Sequence, residues 1–329
     1  MVYRKPLIHI GMPKTATKTL QWRLFSRHTE VYYLGRFDGP QFQKEFRIGC
    51  CRNPSVYQVM DQIAYRDIFE PDFDRCKRLI KRELDHAAAN HLVPVWSWES
   101  YSTDVLSKRR VRARNLSRLF DDAHILMVLR NPLALLESAY FQHLKRENVS
   151  PKLGCFRPAY YQTIDQWLEE HFQGEILPHI EYGQTVQVFA DYFGLQNVHV
   201  LLFEDLVADE SAFFRRVCSL MQIDAEEGLE LVRGERDNER WTTSQVETMK
   251  RIVESPLSSL LFKFRTRANR LRMLNLDGYG IPIASGKKAR AVISPEWQKE
   301  IFKAAEAGNR WLEDHLGLPL TQYGYRGGV

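Results

Sequence analysis

The stretch Leu7–Gln21, LIHIGMPKTATKTLQ, decides the fold class of this chain. Its first part, Leu7–Ile10, is a short apolar run with β-branched residues, which is typical of a buried β-strand. From Thr17 onward the apolar residues recur at helical spacing, and this pattern predicts a helix over Thr17–His28. A polar turn that begins at Gly11 joins the two elements. Strand, turn and helix in this order form the first unit of an α/β fold.

The same alternation of strand and helix continues along the chain. Three further apolar runs predict strands at Leu92–Trp96, His124–Leu129 and Val198–Phe203. Helical patterns lie between or after them, at Phe73–Asn90, Ala134–Glu147, Gln184–Phe193 and Ser211–Met221. We therefore expect an α/β fold in which a central parallel sheet has helices on both faces, with a helical C-terminal region ending in Pro295–Leu316. Because no repeat or Gly/Ser-rich linker divides the 329 residues, we predict a single domain over residues 1–329.

The composition excludes some classes of function. The chain has 46 Lys and Arg residues against 41 Asp and Glu, and a formal charge of +5 is too small for the basic stripe of a nucleic-acid-binding protein. It suits an enzyme that holds a multiply anionic small molecule. No segment approaches the ~18 apolar residues of a membrane span, and the N-terminal segment lacks the apolar core of a secretory signal. We expect a cytoplasmic protein without a transmembrane segment.

The cysteines indicate neither a disulfide framework nor a zinc site. There are five of them, an odd number, and none is arranged as CxxC. We expect them to be reduced thiols. The five are Cys50, Cys51, Cys76, Cys155 and Cys218.

The turn after the first strand has the features of an anion site. A junction of strand, turn and helix directs backbone N–H groups and the positive end of the helix at one point. Lys14, Lys18 and three threonines add charge and hydroxyl groups there, which suits a phosphate or a sulfate. The turn is not a Walker sequence, because Ala16 stands where that sequence has its second glycine and Lys18 is one place late for its lysine.

The turn after His124–Leu129 contains a second set of anion-binding side chains. Arg130-Asn131-Pro132 ends the strand, and Ser138 follows on the next helix. An arginine at the end of a strand and a serine on the following helix can hold one phosphate through charge and a hydroxyl group. We expect Asn131 to cap that helix, with Pro132 at its first position, where no N–H is needed.

Both turns resemble motifs of the sulfotransferase family. The first is similar to the 5′-phosphosulfate loop, P-K-T-G-T-T-x-L-Q, with Ala16 in place of the usual Gly and Lys18 in place of the usual Ser or Thr. The second is similar to the 3′-phosphate motif, R-x-P-x-x-x-x-x-S-x-Y, which starts here at Arg130. Val200–Leu206 resembles the strand and E-D-L segment of the family, and Asn309–Leu312 resembles the closing helix of many bacterial members.

The resemblance implies a P-loop-NTPase-like sulfotransferase fold and a sulfuryl donor, 3′-phosphoadenosine-5′-phosphosulfate (PAPS), whose product is adenosine 3′,5′-bisphosphate (PAP). The residues that it assigns to the phosphosulfate are Lys14, Thr15, Ala16, Thr17, Lys18 and Thr19. To the 3′-phosphate it assigns Arg130 and Ser138, and a late Gly- and Lys-containing loop adds Lys287 and Lys288. Ala16 suits such a loop if it keeps a negative φ. The sequence offers no carboxylate pair suited to magnesium, and we expect no metal.

Two side chains suit sulfuryl transfer to a hydroxyl group. Negative charge builds on the oxygen that leaves with the nucleotide, and a fixed ammonium such as that of Lys14 stabilises this charge most in the transition state. A base assists as the hydroxyl proton becomes acidic. Glu99 matches the S-x-E segment of bacterial relatives, in which a Glu is the base. A histidine base, as in the cytosolic branch of the family, is the alternative, and His124 and His143 are its candidates.

Two basic segments, residues 108–114 and 263–272, have no decided role. Each is either a solvated helix face or a surface for an acidic acceptor. The sequence does not identify the acceptor, and a small molecule, a glycan or a lipid headgroup fits equally well. We expect no nucleic-acid partner, and nothing in the sequence indicates an oligomeric state.

Two other functions fit the same features. A P-loop-type kinase that uses a nucleoside triphosphate would share the α/β fold and the anion-binding first turn. The displaced Lys18 and the lack of a recognisable Walker B carboxylate argue against it. A non-catalytic nucleotide-binding protein would gain support if Glu99 pointed away from the nucleotide site and no acceptor cleft existed.

Overall fold

The structure is a computed structural model and describes residues 4–35, 54–65, 72–150, 158–234, 240–278, 282–283 and 286–327. Its strands are β1 (Leu7–His9), β2 (Val31–Tyr33), β3 (Val93–Ser97), β4 (His124–Leu129) and β5 (Val198–Leu202). Its α-helices are α1 (Thr17–Thr19), α2 (Pro54–Tyr65), α3 (Phe73–Ala89), α4 (Leu106–Leu119), α5 (Pro132–Val149), α6 (Ile164–His171), α7 (Tyr182–Phe193), α8 (Phe203–Ala208), α9 (Glu210–Met221), α10 (Ala225–Val232), α11 (Thr243–Glu254), α12 (Pro256–Lys263), α13 (Arg267–Met273) and α14 (Pro295–Leu316). A π-helical segment, Leu20–Phe25, continues α1, and a 3-10 helix covers Glu99–Tyr101.

The strands form one parallel sheet in the order β2-β3-β1-β4-β5. β1 lies at the centre, where Ile8 is level with Trp96 of β3 and Ile125 of β4. All neighbouring strands run parallel, so their carboxyl ends meet at one edge of the sheet. The predicted parallel sheet is confirmed. The turns after β1, β3 and β4 share the edge at which open α/β sheets bind their ligands.

Side chains of the sheet alternate between its two faces, and helices cover both. On β4, Ile125 and Met127 belong to one buried cluster, and Leu126 and Val128 belong to the other. The first cluster includes residues of α2, α3, α4 and α7, and the second includes residues of the Leu20–Phe25 segment, α9 and α10. Both faces are therefore buried, which explains why the strands are nearly continuous apolar runs in the sequence.

Most predicted elements are found with small shifts at their ends. The strand His124–Leu129 has the predicted bounds. The helix predicted over Thr17–His28 ends at Phe25, and most of it is π-helical. The strand β2 is missing from the prediction because three residues are too few to reveal a periodicity. Of the cysteines, Cys76 and Cys218 are buried free thiols. The predictions for Cys50, Cys51 and Cys155 concern residues outside the described ranges.

The chain forms two compact units. The first contains the sheet and comprises Met1–Asn131, Leu177–Glu235 and Lys303–Val329; the second comprises Pro132–Ile176 and Arg236–Phe302. The second unit is helical, with a buried cluster that includes Trp241, Met249 and Phe262. The predicted helical C-terminal region is confirmed by α11 to α14. No helix in the described ranges combines the length and the apolar character needed to cross a bilayer. The single domain over residues 1–329 stays a prediction.

Candidate active site

The turn after β1 contains three residues in the left-handed region. The φ angle is +61° at Gly11, +69° at Lys14 and +62° at Ala16. Left-handed residues placed among right-handed ones turn successive backbone N–H groups towards one side, which makes a concave site for an anion. The condition of a negative φ at Ala16 is therefore not met. Ala16 has a left-handed backbone conformation, which glycine adopts without strain. For an alanine this conformation costs about 1–2 kcal/mol relative to a right-handed one.

The hydroxyl groups of Thr15 and Thr17 hold this turn together from inside. Both side chains are buried, and both donate to the carbonyl oxygen of Met12, over 2.7 and 3.0 Å. A hydroxyl has a single hydrogen, so neither can donate to a bound anion at the same time. What these threonines can offer a ligand is their backbone N–H groups, since the first N–H groups of a helix have no helical carbonyl to bond.

Lys18 and Thr19 lie on the first turn of the helix, and both are half-buried. The Lys18 ammonium is 4.6 Å from the centre of the Trp22 ring, one turn further along. This cation–π contact holds the ammonium beside the helix. Lys18 therefore adds positive charge close to the helix N-terminus, where the peptide dipoles already favour an anion.

A buried polar network lies behind the turn. His9 Nδ1 and Ser97 Oγ are 2.8 Å apart, and the amide of Gln21 donates to the same Ser97 oxygen over 2.9 Å. The three residues come from the end of β1, the end of β3 and the helical segment after the turn. Burial lowers the pKa of His9 to about 3, so its ring is neutral near pH 7. The network ties the helix to both strands and so fixes the turn between them.

Glu99 lies directly against the start of the turn. A Cβ atom added to Gly11 would be 3.0 Å from Glu99 Cγ and 3.1 Å from Glu99 Cα. The Ser102 hydroxyl donates to the carbonyl oxygen of Gly11. The Trp98 N–H donates to the carbonyl oxygen of His9 over 3.1 Å. The predicted base, which is half-buried, therefore stands next to the predicted phosphosulfate turn.

A buried arginine holds the segment that follows Glu99. Arg112 is 3% exposed, and its guanidinium donates to the carbonyl oxygens of Ser100 and Thr103. It also pairs with Asp104 Oδ2 over 3.0 Å. Because these contacts come from one rigid planar group, they fix the backbone immediately after Glu99.

The basic segment 108–114 contains a second buried arginine. Arg109 is fully buried, donates to the Thr185 hydroxyl over 2.5 Å and pairs with the Glu181 carboxylate. Two interpretations of this segment, a solvated helix face and a surface for an acidic acceptor, are both wrong for Arg109 and Arg112. The physical reason is that each guanidinium has carbonyl, hydroxyl or carboxylate partners inside the first unit, which offset its desolvation.

The turn after β4 reaches the turn after β1. Arg130 Nη1 donates to the carbonyl oxygen of Lys14 over 3.0 Å, and the Arg130 guanidinium carbon lies 4.5 Å from the centre of the Phe203 ring. The buried Tyr182 hydroxyl donates to the carbonyl oxygen of Arg130 over 2.7 Å. Burial raises the pKa of Tyr182, so this phenol stays a neutral donor. Lys14 and Arg130, predicted from separate motifs, are brought together.

Residues close to the C-terminus hold the same turn. Glu204 accepts the Asn131 N–H over 2.9 Å and the Tyr325 hydroxyl over 2.7 Å. The side-chain amide of Asn131 donates to the carbonyl oxygens of Tyr323 and Gly324 over 3.0 and 2.7 Å. The backbone next to Arg130 is therefore anchored by a carboxylate and by the last turns of the chain. The capping of α5 by Asn131 stays a prediction.

Comparison with known proteins gives the family. The model described as "Sulfotransferase family" matches residues 6–227, which include the turns after β1, β3 and β4. The chain belongs to the sulfotransferase family. The predicted family membership is thus confirmed, while a comparison with curated protein sequences gives no significant match.

Solved structures of sulfotransferases are similar to this family member. The sulfotransferase from Alicyclobacillus acidocaldarius aligns over 98% of this chain and 99% of its own, with a TM-score of 0.51 and 17% identity. Mouse sulfotransferase SULT7A1 complexed with PAP aligns over 96% of this chain and 90% of its own, with a TM-score of 0.43 and 11% identity. Sulfotransferase STF9 from Mycobacterium avium aligns over 84% and 78%, with a TM-score of 0.40 and 12% identity. The sulfotransferase fold is confirmed by the first of these structures.

Other site residues predicted from the family motifs lie in the second unit. Ser138 is half-buried on α5, and Lys287 and Lys288 are exposed. Lys288 forms an antiparallel bridge with Thr242, and the carbonyl oxygen of Lys287 accepts the Thr243 N–H over 2.9 Å. The backbone of both lysines is therefore fixed while their side chains reach solvent. Their contact with a nucleotide, like that of Ser138, stays a prediction.

The two histidine candidates lie in different surroundings. His124 opens β4, at the opposite edge of the sheet from the three turns, and its Nδ1 is 2.9 Å from His199 Nε2. His143 Nε2 is 3.0 Å from the Tyr160 hydroxyl, and its Nδ1 is 3.1 Å from a neighbouring guanidinium nitrogen. Burial lowers the pKa of both imidazoles. Glu99 is the candidate that lies against the turn after β1, and a histidine base at His143 stays an alternative prediction.

Several residues that support the site are missing from the prediction. The only signal for His9 is a polar residue inside an apolar strand. Glu204 belongs to the E-D-L segment that the sequence shows, but nothing in the sequence indicates that it accepts the Asn131 backbone N–H. Tyr182 and Tyr325 have no local signal, because their roles depend on contacts between distant parts of the chain.

Proposed function

We propose that this protein transfers a sulfuryl group from PAPS to a hydroxyl group of an acceptor. The observation that carries the proposal is the convergence of three turns: Arg130 donates to the Lys14 carbonyl oxygen, and Glu99 packs against Gly11. A phosphate ligand, a cation for the leaving group and a base thus have candidates at one edge of the sheet. Membership of the sulfotransferase family supports the same reaction.

The residues of this edge fit an anionic nucleotide. Left-handed residues such as those of the first turn can direct backbone N–H groups at one point, and Lys14 and Lys18 belong to this turn and the start of the helix. When bound, PAPS supplies a sulfuryl group attached to a phosphate leaving group. Arg130 is our candidate ligand of the 3′-phosphate, because a planar guanidinium suits a phosphate and its turn is anchored on both sides. Ser138, Lys287 and Lys288 are proposed for the same phosphate on the family motif alone.

Lys14 and Glu99 take the catalytic roles in this proposal. The Lys14 ammonium is attached to a turn held by buried hydrogen bonds, and it is our candidate to stabilise the growing negative charge of the leaving oxygen. Glu99 accepts the proton of the attacking hydroxyl group. Its backbone is fixed by Gly11 on one side and by the Arg112 contacts on the other.

Isothermal titration calorimetry with PAP and ADP, in the presence of a metal chelator, tests the proposed donor. We expect PAP to bind at least tenfold more tightly than ADP, since ADP lacks the 3′-phosphate and its charge-assisted hydrogen bonds. Magnesium should leave the PAP affinity unchanged. The matched variant is Arg130→Ala, in which the ratio of the ADP to the PAP dissociation constant should fall towards one.

Binding of ATP that needs magnesium, together with no response to PAP, would instead favour a nucleoside-triphosphate-dependent kinase. For the acceptor, radiolabelled PAPS can be offered with small alcohols, phenols, glycans and glycolipids in turn. Labelled product in any class supports sulfuryl transfer and names the acceptor. PAP binding without labelled product in every class would favour a nucleotide-binding protein without this activity.

A further inference from the structure

Helix α12 of the second unit turns an apolar face towards solvent. Leu257, Leu260 and Leu261 are 67, 53 and 54% exposed, and Phe264, directly after the helix, is 62% exposed. The spacing i, i+3, i+4, i+7 puts these four side chains on one stripe of a helix. We call them the α12 stripe. Scattered exposed apolar residues are ordinary, but a contiguous group marks an interaction surface.

Contacts with the rest of the second unit fix the orientation of α12. The stripe is therefore exposed because of how the helix packs. Phe262, on the opposite side of the helix, is 1% exposed and belongs to the buried cluster of the second unit. The Arg270 guanidinium carbon lies 4.5 Å from the centre of the Phe262 ring. Arg270 also donates to the carbonyl oxygen of Arg265 over 3.2 Å. Ser255 caps the start of the helix by accepting the Ser258 N–H over 3.3 Å.

Positive charge surrounds the stripe in the sequence. The exposed cations of α11 to α13 and the turns between them are Lys250, Arg251, Lys263, Arg265 and Arg272. The exposed carboxylates of the same segment are Glu247 and Glu254, and Lys250 pairs with Glu254 over 3.8 Å. The basic segment 263–272 is thus divided: Arg267 and Arg270 donate to backbone carbonyls, and the other three cations reach solvent. Exposed leucines and surplus exposed cations this close in the sequence suit a partner that is both apolar and anionic.

We propose that the α12 stripe and its flanking cations dock this protein on the surface of an anionic lipid bilayer. Leucines and a phenylalanine insert at the boundary of headgroups and acyl chains, while lysines and arginines meet the anionic headgroups. The eight residues of α12 reach only about 12 Å, well short of a membrane span, so the helix lies on the bilayer. The inference does not rest on the proposed sulfuryl transfer.

Sedimentation of the full chain with phosphatidylcholine vesicles, with and without phosphatidylserine, tests the proposal. We expect binding to the anionic vesicles that weakens as salt is added, and at least tenfold weaker binding to the neutral ones. The double variant Leu257→Ser/Leu260→Ser should lower the partition coefficient roughly tenfold. Its matched control is Val207→Ser/Val292→Ser, which changes two other exposed apolar residues and should bind like the wild type.

A second pair of variants separates charge from apolar contact. Arg265→Gln/Arg272→Gln should weaken binding to the anionic vesicles roughly tenfold and leave the neutral ones unaffected. Arg78→Gln/Arg82→Gln, two exposed arginines of α3, is the control. All substitutions are on exposed side chains, and circular dichroism verifies that each variant is folded. PAP binding, measured in solution, should be the same in all of them.

Other outcomes overturn the proposal. Equal binding of the leucine variant and the wild type would leave the stripe without a membrane role. Concentration-dependent dimers that Leu257→Ser/Leu260→Ser abolishes, without vesicle binding, would assign the stripe to a second copy of this chain. Binding to polyglutamate as strong as binding to anionic vesicles, and insensitive to the leucines, would assign the cations to an acidic polypeptide.

Discussion

The turn after β1 and the turn after β4 lie at the same edge of the sheet, but they are supported in different ways. In the first turn, Thr15 and Thr17 bond to the Met12 carbonyl oxygen only three and five positions away. In the second, Arg130 is held by Tyr182, 52 positions away, and Asn131 is held by Tyr323, 192 positions away. The residues that support the first turn from inside belong to its own motif, whereas those that hold the second turn lie far from its motif in the sequence.

The difference extends to what each turn contributes. The first turn stores strain in left-handed Lys14 and Ala16 and meets the reacting atoms in our proposal. The second has no left-handed residue between Arg130 and Pro132 and, in our proposal, presents a guanidinium to the 3′-phosphate. We therefore expect changes around the first turn to affect turnover, and changes around the second to affect nucleotide affinity.

Glu99→Gln should lower kcat roughly 10²–10⁴-fold while PAP affinity and stability stay close to those of the wild type, because an amide cannot accept the proton of the acceptor. The loss should shrink with acidic phenols, which need less help in losing their proton. Steady-state kinetics and calorimetry on the same variant check both parts. The control is Glu300→Gln, an exposed carboxylate on α14. Near-normal rates in Glu99→Gln would remove this residue from the mechanism.

Lys14→Ala and Arg130→Ala test the division directly. Lys14→Ala should lower kcat roughly 10²–10³-fold with little change in PAP affinity, since its ammonium acts mainly in the transition state. Arg130→Ala should weaken PAP affinity roughly tenfold or more and have the smaller effect on kcat at saturation. Equal losses of PAP affinity in the two variants, with unchanged kcat, would contradict the assignment of turnover to the first turn and nucleotide affinity to the second.

His9→Gln should make stability less dependent on pH. The His9 pKa of about 3 in the folded chain lies below the ordinary histidine value, so the unfolded chain alone gains a proton between about pH 6.5 and 3. This contribution is complete above pH 6.5 and is lost as the pH falls, by roughly 3 kcal/mol at pH 4. Urea unfolding at pH 7 and pH 4 measures it.

In His9→Gln the difference between the two pH values should be smaller by about that amount, even though the variant is less stable at pH 7. Carboxylates and the His124–His199 pair also titrate between these pH values, but they are the same in the wild type and in His9→Gln, so their contributions cancel in the comparison. His86→Gln, an exposed histidine, should keep the pH dependence of the wild type. If His9→Gln keeps it as well, the ring is not held neutral by the fold.

Tyr325→Phe should lower the free energy of unfolding by about 1–3 kcal/mol, because a buried hydroxyl that donates to the Glu204 carboxylate is lost. PAP affinity should fall severalfold as well, since Glu204 also holds the Asn131 N–H next to Arg130. Tyr323→Phe removes a more exposed bond to Asp205 and is the matched control, with effects within about 0.5 kcal/mol. An unchanged PAP affinity in Tyr325→Phe would separate the C-terminal contacts from the nucleotide site.

Ala16→Gly should raise the free energy of unfolding by about 0.5–1 kcal/mol. It removes the cost of a left-handed alanine, and part of that gain is offset by the greater freedom of glycine in the unfolded chain. The control is Ala304→Gly, on an exposed face of α14, which should destabilise the protein by a similar amount. Thermal and urea unfolding of the two variants should therefore shift in opposite directions. A shift in the same direction would mean that Ala16 is not strained.

Much of the fold and part of the site could be predicted from the sequence. The buried strands are apolar runs, and Lys14, Glu99 and Arg130 each follow a strand, so they fall at one edge of the sheet. Backbone conformation was harder, because the left-handed Ala16 follows from how the turn closes and not from its own identity. The sequence also does not reveal where a hydroxyl group donates. The family motif predicts Thr15 as a phosphate ligand, whereas in the structure its hydroxyl donates to the Met12 carbonyl oxygen.

Charge was the least informative property of the sequence. Arg109 and Arg112 occur in the same kind of basic run as Arg265 and Arg272, but the first pair is buried and the second is exposed. Only the partners distinguish them. Glu181 and Asp104, which pair with the buried arginines, come from other elements, and no local pattern connects them.

The contacts of Asn131 with Tyr323 and Gly324 have a consequence for protein synthesis. A ribosome makes the turn after β4 long before it makes Tyr323 and Gly324, so a nascent chain lacks these contacts until both residues have emerged. A nucleotide stabilises only chains that can bind it. In our proposal, the nucleotide would therefore stabilise only chains that already contain Tyr323 and Gly324.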